Sequence, residues 1–405
     1  MIFGASKARG GLISTNISVR SEQSIVVKRF DCVPMQPVSW GNGDTKGISL
    51  FELETDRGET ALGCGYASAA CIQEGIKHLL PFVDNRVLDP AAINRSIREA
   101  LGRSIEEEPK LAAALSALDI ALWDLLGKRL NKPIKELIGG GKRSKIKAYA
   151  SLELAMPASL PDKAIEAKIQ DMLGKGFKAL KIYIPRFGYG EGYAPGRPWR
   201  QYEKEIISYV RKVAGTGITL MWDAYGSAPD WPNGYDWAYD IGMHLRDEGF
   251  LWFEEPLSPK SLTDYQSLTG EKIISISGCE SFHTYPPFEK WADAEAVNIL
   301  QPDLTVVGGI SVAKEIAEIV PQRCIILHGW SSAVGLAADL QFMSTMPLNE
   351  MCLIEYMPTP HITEPLVTNW QLDEEGMLSV PDDSGLGVAI DREKIKNKQG
   401  VFDYA

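Results

Sequence analysis

Six apolar runs in the second half of the chain each end on an ionisable residue, and successive ends lie 23 to 31 residues apart. The runs are Ile218–Asp223, Phe250–Glu254, Ile274–Glu280, Ala296–Asp303, Cys324–His328 and Cys352–Glu355. A barrel of eight strand–helix units in about 250 residues repeats at roughly 30. Its strands all end at one mouth, where such barrels do their chemistry. The spacing therefore predicts one pocket holding four carboxylates and an imidazole, with a fifth carboxylate beside them. That much negative charge repels itself unless a cation is close by.

Two more apolar runs, near 146–151 and 178–184, bring the strand candidates to eight. Helical patterns at 162–173, 201–213, 235–247, 310–319 and 333–342 alternate with them, as a closed parallel barrel requires. The first third reads differently. Residues 17–68 form a meander with strand-like runs at Ser24–Phe30 and Gly47–Glu54, joined by a turn-rich stretch from Pro34 to Asp44. From Asp89 the pattern is helical, with Asp89 as N-cap and Pro90 in the first position. Leu115, Leu118, Leu122, Leu125 and Leu126 then make an apolar stripe. The break at Gly139-Gly-Gly sets the expected boundaries: 1–142, a barrel over 143–357, and a tail over 358–405 that returns to the N-terminal domain.

The net charge of −11 argues against a nucleic-acid partner. Six cysteines without a CxxC pair argue against disulfides and zinc, and hence for a reducing, cytoplasmic setting. The N-terminus lacks a long apolar core of signal-peptide type, and no stretch reaches 18 apolar residues, so no membrane association is expected.

Ser116–Lys128 (SALDIALWDLLGK), then Asn131-Lys-Pro-Ile and Gly139-Gly, precede three barrel motifs: Phe253-Glu-Glu-Pro, Gly278-Cys-Glu-Ser and Gln301–Ile310 (QPDLTVVGGI). In order and spacing the chain resembles the enolase superfamily, and within it the mandelate racemase group. The resemblance covers nearly the whole chain. It implies an α/β fold: a modified TIM barrel, (β/α)7β, with an α+β capping domain. It also implies that Asp223, Glu254 and Glu280 are Mg2+ ligands. Three carboxylates with room for water suit that hard cation on chemical grounds too. Strand alternation turns the neighbouring Glu255 away from the interior.

Asp303 and His328 end adjacent strands, and a carboxylate beside an imidazole fixes its tautomer and raises its pKa. The resemblance makes His328 the base that takes the proton α to a carboxylate; a Lys or His base with Mg2+ is a property of the superfamily, not a deduction from spacing. It makes Glu355 a donor to the substrate carboxylate, which requires a protonated carboxyl.

Strand two departs from the family pattern. Where mandelate racemases carry Lys-x-Lys, this chain has Lys181-Ile-Tyr183. Lys181 suits the substrate carboxylate or enediolate, whereas a tyrosine is a poor base unless the neighbouring ammonium lowers its pKa. Tyr225 is a second departure, standing where some sugar-acid dehydratases carry a histidine acid. It is read as hydrogen-bonding the substrate or donating a proton. The glycine-rich loop after strand two lacks a nucleotide fingerprint, because Tyr193 and prolines interrupt it. Its Arg186, with Arg197 and Arg200, suits a distal substrate oxygen. His283 is expected to line the pocket, and Trp40 to sit in a turn that caps the mouth.

The expectation is a Mg2+-dependent dehydratase converting an aldonate or aldarate to a 2-keto-3-deoxy acid, with a small sugar-acid carboxylate as partner and, by analogy, a homo-oligomeric assembly. The alternatives are a racemase or epimerase of a 2-hydroxy acid, with Lys181 or Tyr183 as second base, and a non-catalytic sugar-acid-binding protein.

Overall fold

The computed structural model describes residues 24–40, 44–184, 199–228, 233–320, 324–347, 351–358 and 370–394, with backbone alone at 34–40 and 44–46. The chain opens with a short strand β1 (Ser24–Ile25) and an antiparallel sheet of β2 (Val27–Trp40), β3 (Asp44–Thr55) and β4 (Thr60–Gly65). The segment expected as a turn-rich join, Pro34–Trp40, instead continues β2, paired with β3 from Pro34↔Ser49 to Trp40↔Asp44. Proline removes a ladder donor, so it is tolerated on an edge strand and at a bulge. β2 is that edge, and the register shifts between Pro34 and Gln36.

Helix α1 (Ala69–Leu79) follows, then β5 (Arg86–Val87), which pairs with β1, and the helices α2 (Pro90–Glu107) and α3 (Pro109–Leu130). Asp89 caps α2, accepting Ala92 N–H at 3.0 Å. Leucine and alanine favour α3 throughout, and Asn131, in the left-handed region at φ 50°, ends it. The predicted leucine stripe is buried, but so is nearly the whole circumference of the helix. One reason is contact with β4 at close range: a Cβ on Gly63 would lie 2.0 Å from Ala117 O.

After α4 (Ile134–Ile138) the chain alternates. It runs β6 (Lys145–Glu153), α5 (Lys163–Gly174), β7 (Ala179–Tyr183), α6 (Trp199–Ala214), β8 (Thr219–Asp223), α7 (Tyr235–Asp247) and β9 (Trp252–Glu254). It continues through α8 (Leu262–Gly270), β10 (Ser275–Gly278), α9 (Tyr285–Asp293), β11 (Ile299–Leu300), α10 (Ile310–Ile319), β12 (Cys324–Ile325), α11 (Ala333–Met343) and β13 (Leu353–Glu355). The eight strands form one curled parallel sheet in the order β12-β11-β10-β9-β8-β7-β6-β13. This is the (β/α)7β barrel with its antiparallel cap. Among the described residues no ladder joins β12 to β13; the hydrogen bond from Gly329 N–H to Glu355 spans that seam at 2.9 Å.

The C-terminal segment does two things. Its strand β14 (Met377–Ser379) adds to β6 antiparallel, and Leu386 N–H reaches back to Asp124 of α3 at 2.8 Å.

Inside the barrel lies an apolar layer of Tyr149, Ala179, Met221, Trp252, Ile299, Ile326 and Leu353. Inward positions recur every second residue along a strand. Two residues beyond each member stand Ser151, Lys181, Asp223, Glu254, Gln301, His328 and Glu355. A hydrophobic floor thus carries a wholly polar wall one step nearer the mouth.

Candidate active site

Lys181 is the hub of that wall. Its ammonium is buried, 2.5 Å from Glu254 Oε1, 3.4 Å from Glu355 Oε1 and 3.7 Å from Asp223 Oδ2. Burial alone would depress its pKa, but Glu254, Glu355, Tyr149 and Asp223 outweigh that and hold it well above the ordinary lysine range. Lys178, three residues earlier, is exposed.

Burial pushes the Asp223 carboxyl up, and the charges of Glu254 and Glu280 push it further; Lys181 and the N–H of Tyr225 oppose them. Glu280 is raised by burial first, with His328 opposing and Glu254 adding. The three acids therefore feel one another. Among the described residues, no three His, Cys, Asp or Glu side chains stand close enough in this arrangement to hold an ion, and Lys181 stands between the acids. The donor chemistry nonetheless fits a hard cation: the set is all oxygen, and Glu280 Oε2 is buried without a hydrogen-bond partner.

His328 Nδ1 lies 2.8 Å from Asp303 Oδ2, leaving Nε2 to face the pocket, 3.6 Å from Glu280 Oε2. Asp303 is fixed in turn, since its Oδ1 accepts both the N–H and the hydroxyl of Thr305, at 2.7 and 2.6 Å. Burial opposes protonation of His328, but Glu280, Asp303 and Glu355 hold its pKa well above the usual imidazole value. The cap touches this corner through Tyr66 N–H, bonded to Thr305 O at 3.0 Å.

Glu355, expected as a protonated donor, sits among groups that favour its charged form. Burial favours its acid form, but Lys181, His328, the Ser151 hydroxyl and Gly329 N–H together bring its pKa down to about 2. Its carboxyl accepts hydrogen bonds from Ser151, Gly329 and Tyr149, which favour the charged form.

Tyr183 ends β7 and is partly buried. Burial and the charges of Asp223, Glu153 and Glu280 raise its phenol further; Lys181 brings no relief. It packs edge-on against Tyr225, centroids 5.4 Å apart. Tyr225 takes a left-handed φ of 57°, fixed by its N–H on Asp223 Oδ1 at 2.8 Å. Glu255 is also left-handed, at φ 41°; its buried carboxylate accepts the N–H and hydroxyl of Ser227, at 3.1 and 2.5 Å.

Two other expected residues lie elsewhere. His283 is bonded through Nε2 to Glu106 O at 2.9 Å, tying the loop before α9 to the last turn of α2. Arg200 sits on α6, 3.9 Å from Asp240 of α7, in the outer helical layer. Arg186 and Arg197 lie outside the described residues, as does the side chain of Trp40.

The sequence reading gave no role to Ser151, Tyr149, Trp252, Gln301 or Thr305. The missed signal was alternation: Trp252 lies two residues before Glu254 and Gln301 two before Asp303, while Tyr149 and Ser151 alternate along β6, where no site residue was named. Asp339 was missed too. It is buried on α11 and raised by burial and by Asp303, and its Oδ1 has no partner.

Residues 22–139 match the sequence model for the mandelate racemase / muconate lactonizing enzyme N-terminal domain, and 164–394 match the enolase C-terminal domain-like model. The chain belongs to the enolase superfamily. Within that superfamily it falls in the mandelate racemase/muconate lactonizing enzyme subgroup. It is 30% identical over 371 residues to D-galactarolactone cycloisomerase of Agrobacterium fabrum, covering 87% of this chain and 91% of that protein. It is 26% identical to arabinonate dehydratase of Saccharolobus solfataricus, covering 88% and 90%. A racemase from Streptomyces coelicolor A3(2), solved with bound magnesium, shares the fold at a TM-score of 0.74 and 22% identity, covering 92% and 99%. Superfamily members typically bind Mg2+. Among the described residues no helix is long and apolar enough to cross a membrane.

Proposed function

We propose that this enzyme is a Mg2+-dependent lyase that dehydrates a sugar acid, an aldonate or aldarate, to a 2-keto-3-deoxy acid. The observation that carries the reading is the His328–Asp303 pair facing the Lys181–Glu254–Asp223–Glu280 cluster across one polar wall. We assign 1–142 and 358–405 to the cap and 143–357 to the barrel, with β14 adding to barrel strand β6.

Asp223, Glu254 and Glu280 would hold the ion, which supplies charge stabilisation at the substrate carboxylate. His328 takes the α-proton on Nε2. Asp303 holds the ring through Nδ1 and steadies the imidazolium that forms. Lys181 offsets the charge that builds on the carboxylate oxygens. The bond from the β-carbon to its hydroxyl breaks, the hydroxyl takes the proton back from His328 and leaves as water, and the enol becomes the ketone. His328 must start neutral, so charge compensation at Glu280 favours the working form.

A second reading is a cycloisomerase, which opens the ring of a sugar-acid lactone after the same proton removal. Two phenols stand where relatives carry a second base and a histidine acid, and burial raises both. A lactone oxygen leaves as a carboxylate and needs no acid, so this wall suits it.

The test is proton NMR in D2O with Mg2+ and a panel of mono- and diacid sugars and their lactones. Loss of the α-proton with a new C3 methylene signal from an open-chain acid supports dehydration. The same signal from lactones alone transfers the assignment to cycloisomerase. Exchange without elimination overturns both in favour of a racemase or epimerase.

A further inference from the structure

Glu254 is fully buried, and its two oxygens have different surroundings. Oε2 accepts the indole N–H of Trp252 at 3.0 Å and the amide N–H of Gln301 at 2.8 Å. A carboxylate oxygen offers about two lone-pair sites, so Oε2 is saturated. Oε1 accepts Lys181 at 2.5 Å and keeps one site open. Both donors to Oε2 are rigidly held. Trp252 belongs to the apolar layer and packs edge-on against Tyr149, centroids 5.7 Å apart. Gln301 is fully buried, and its own N–H bonds Gly278 O at 2.9 Å.

We propose that Trp252 and Gln301 are positioning residues that make Glu254 a one-oxygen ligand, and so tune the cation site toward Mg2+ and against Ca2+. The proposal rests on the reading of Asp223, Glu254 and Glu280 as that site. Ca2+ takes six to eight oxygens and often grips a carboxylate through both; Mg2+ takes six at strict geometry and keeps part of its own water. Occupying Oε2 denies the two-oxygen grip. A second observation agrees. Gln301 Oε1 and Ser277 Oγ are buried without a partner, and Ser277 is the ladder neighbour of Glu254. Unpartnered oxygens beside the site suit an ion that arrives with water protons to donate.

The test is calorimetric titration of the metal-stripped full chain with Mg2+ and, separately, Ca2+, for the wild type, Gln301→Leu and Trp252→Phe. Near-UV circular dichroism of each metal-free variant checks folding, and Trp252→Phe stands in if Gln301→Leu does not fold. The wild type is expected to prefer Mg2+. Each variant is expected to lose Mg2+ affinity by about 10- to 100-fold, the usual cost of removing such a partner, while Ca2+ affinity holds or rises, so the Mg2+/Ca2+ ratio falls. Equal losses for both ions, with the ratio unchanged, would reduce the pair to structural support and overturn the proposal. A wild type that binds neither ion overturns the underlying site reading instead.

Discussion

Asp119 and Asp124 in α3 are buried as deeply as the carboxylates at the barrel mouth, and each of their oxygens has a hydrogen-bond partner. Asp119 accepts Asn94 Nδ2 and the N–H of Ser311, each at 2.9 Å, and so joins α3 to α2 and to the first turn of α10. Asp124 accepts Leu62 N–H, Leu386 N–H and Lys128 Nζ, tying β4 and the C-terminal segment to the same helix. At the mouth, by contrast, Glu280 Oε2, Gln301 Oε1, Ser277 Oγ and Asp339 Oδ1 are buried without partners. A buried polar atom normally finds a partner, and one left open calls for an explanation. The acids of α3 hold parts of the chain together. Those at the mouth are gathered around the charges of Lys181 and His328.

The sharpest way to break this contrast is to exchange the effects. His328→Asn should leave the fold intact and cut α-proton exchange by about 10²- to 10⁴-fold, the range a general base contributes. Exchange in D2O followed by NMR measures it, and a variant of unchanged rate would remove His328 from the mechanism.

Asp124→Ala should do the reverse. It strands two buried N–H groups and should cost about 3 kcal/mol of stability, read by urea unfolding, while the Mg2+ dissociation constant stays where it was. A large change in ion affinity with little loss of stability would erase the distinction between the two regions.

The smallest effect is a slope. Burial raises Asp119, against the pull of Ser311, Asn94 and Arg98, to about 7 from an ordinary 3.8. The folded state therefore keeps a proton that the unfolded chain has lost between those two values. Stability from this group is full below pH about 4, declines as pH rises toward about 7, and is level above. Asp119→Asn should flatten that decline in unfolding free energies measured across the window. A slope equal to the wild type's would mean that Asp119 is ionised throughout.

Much of this was legible beforehand. The strand-end acids and His328 were readable because the barrel repeat sets them about one strand–helix unit apart. The helices Tyr235–Asp247 and Ile310–Ile319 have the bounds that periodicity predicts. α9 is absent from the predicted helices; its start at Tyr285-Pro-Pro is compatible with a helix because proline is accepted in a first turn. The strand expected to end at Phe30 runs on to Trp40 for a related reason: a sequence does not say which strand lies at an edge. His283 was placed by its distance along the chain from Glu280, but the turn after β10 sends it to α2 instead.

By itself, the sequence determined the barrel, the cap, and which ionisable groups converge on the mouth, because those follow from the repeat length and from motif order. Only the tertiary structure decided how each group is charged and oriented. Lys181 reaches Glu254, Glu355 and Asp223 at once because three strands deliver them to one level. Glu355 favours its charged form because Lys181, His328, Ser151 and Gly329 meet around it. Glu254 keeps a single oxygen open because Trp252 and Gln301 close on the other. Charge and hydrogen-bond occupancy depend on neighbours a few ångströms away, and most of those neighbours come from other strands.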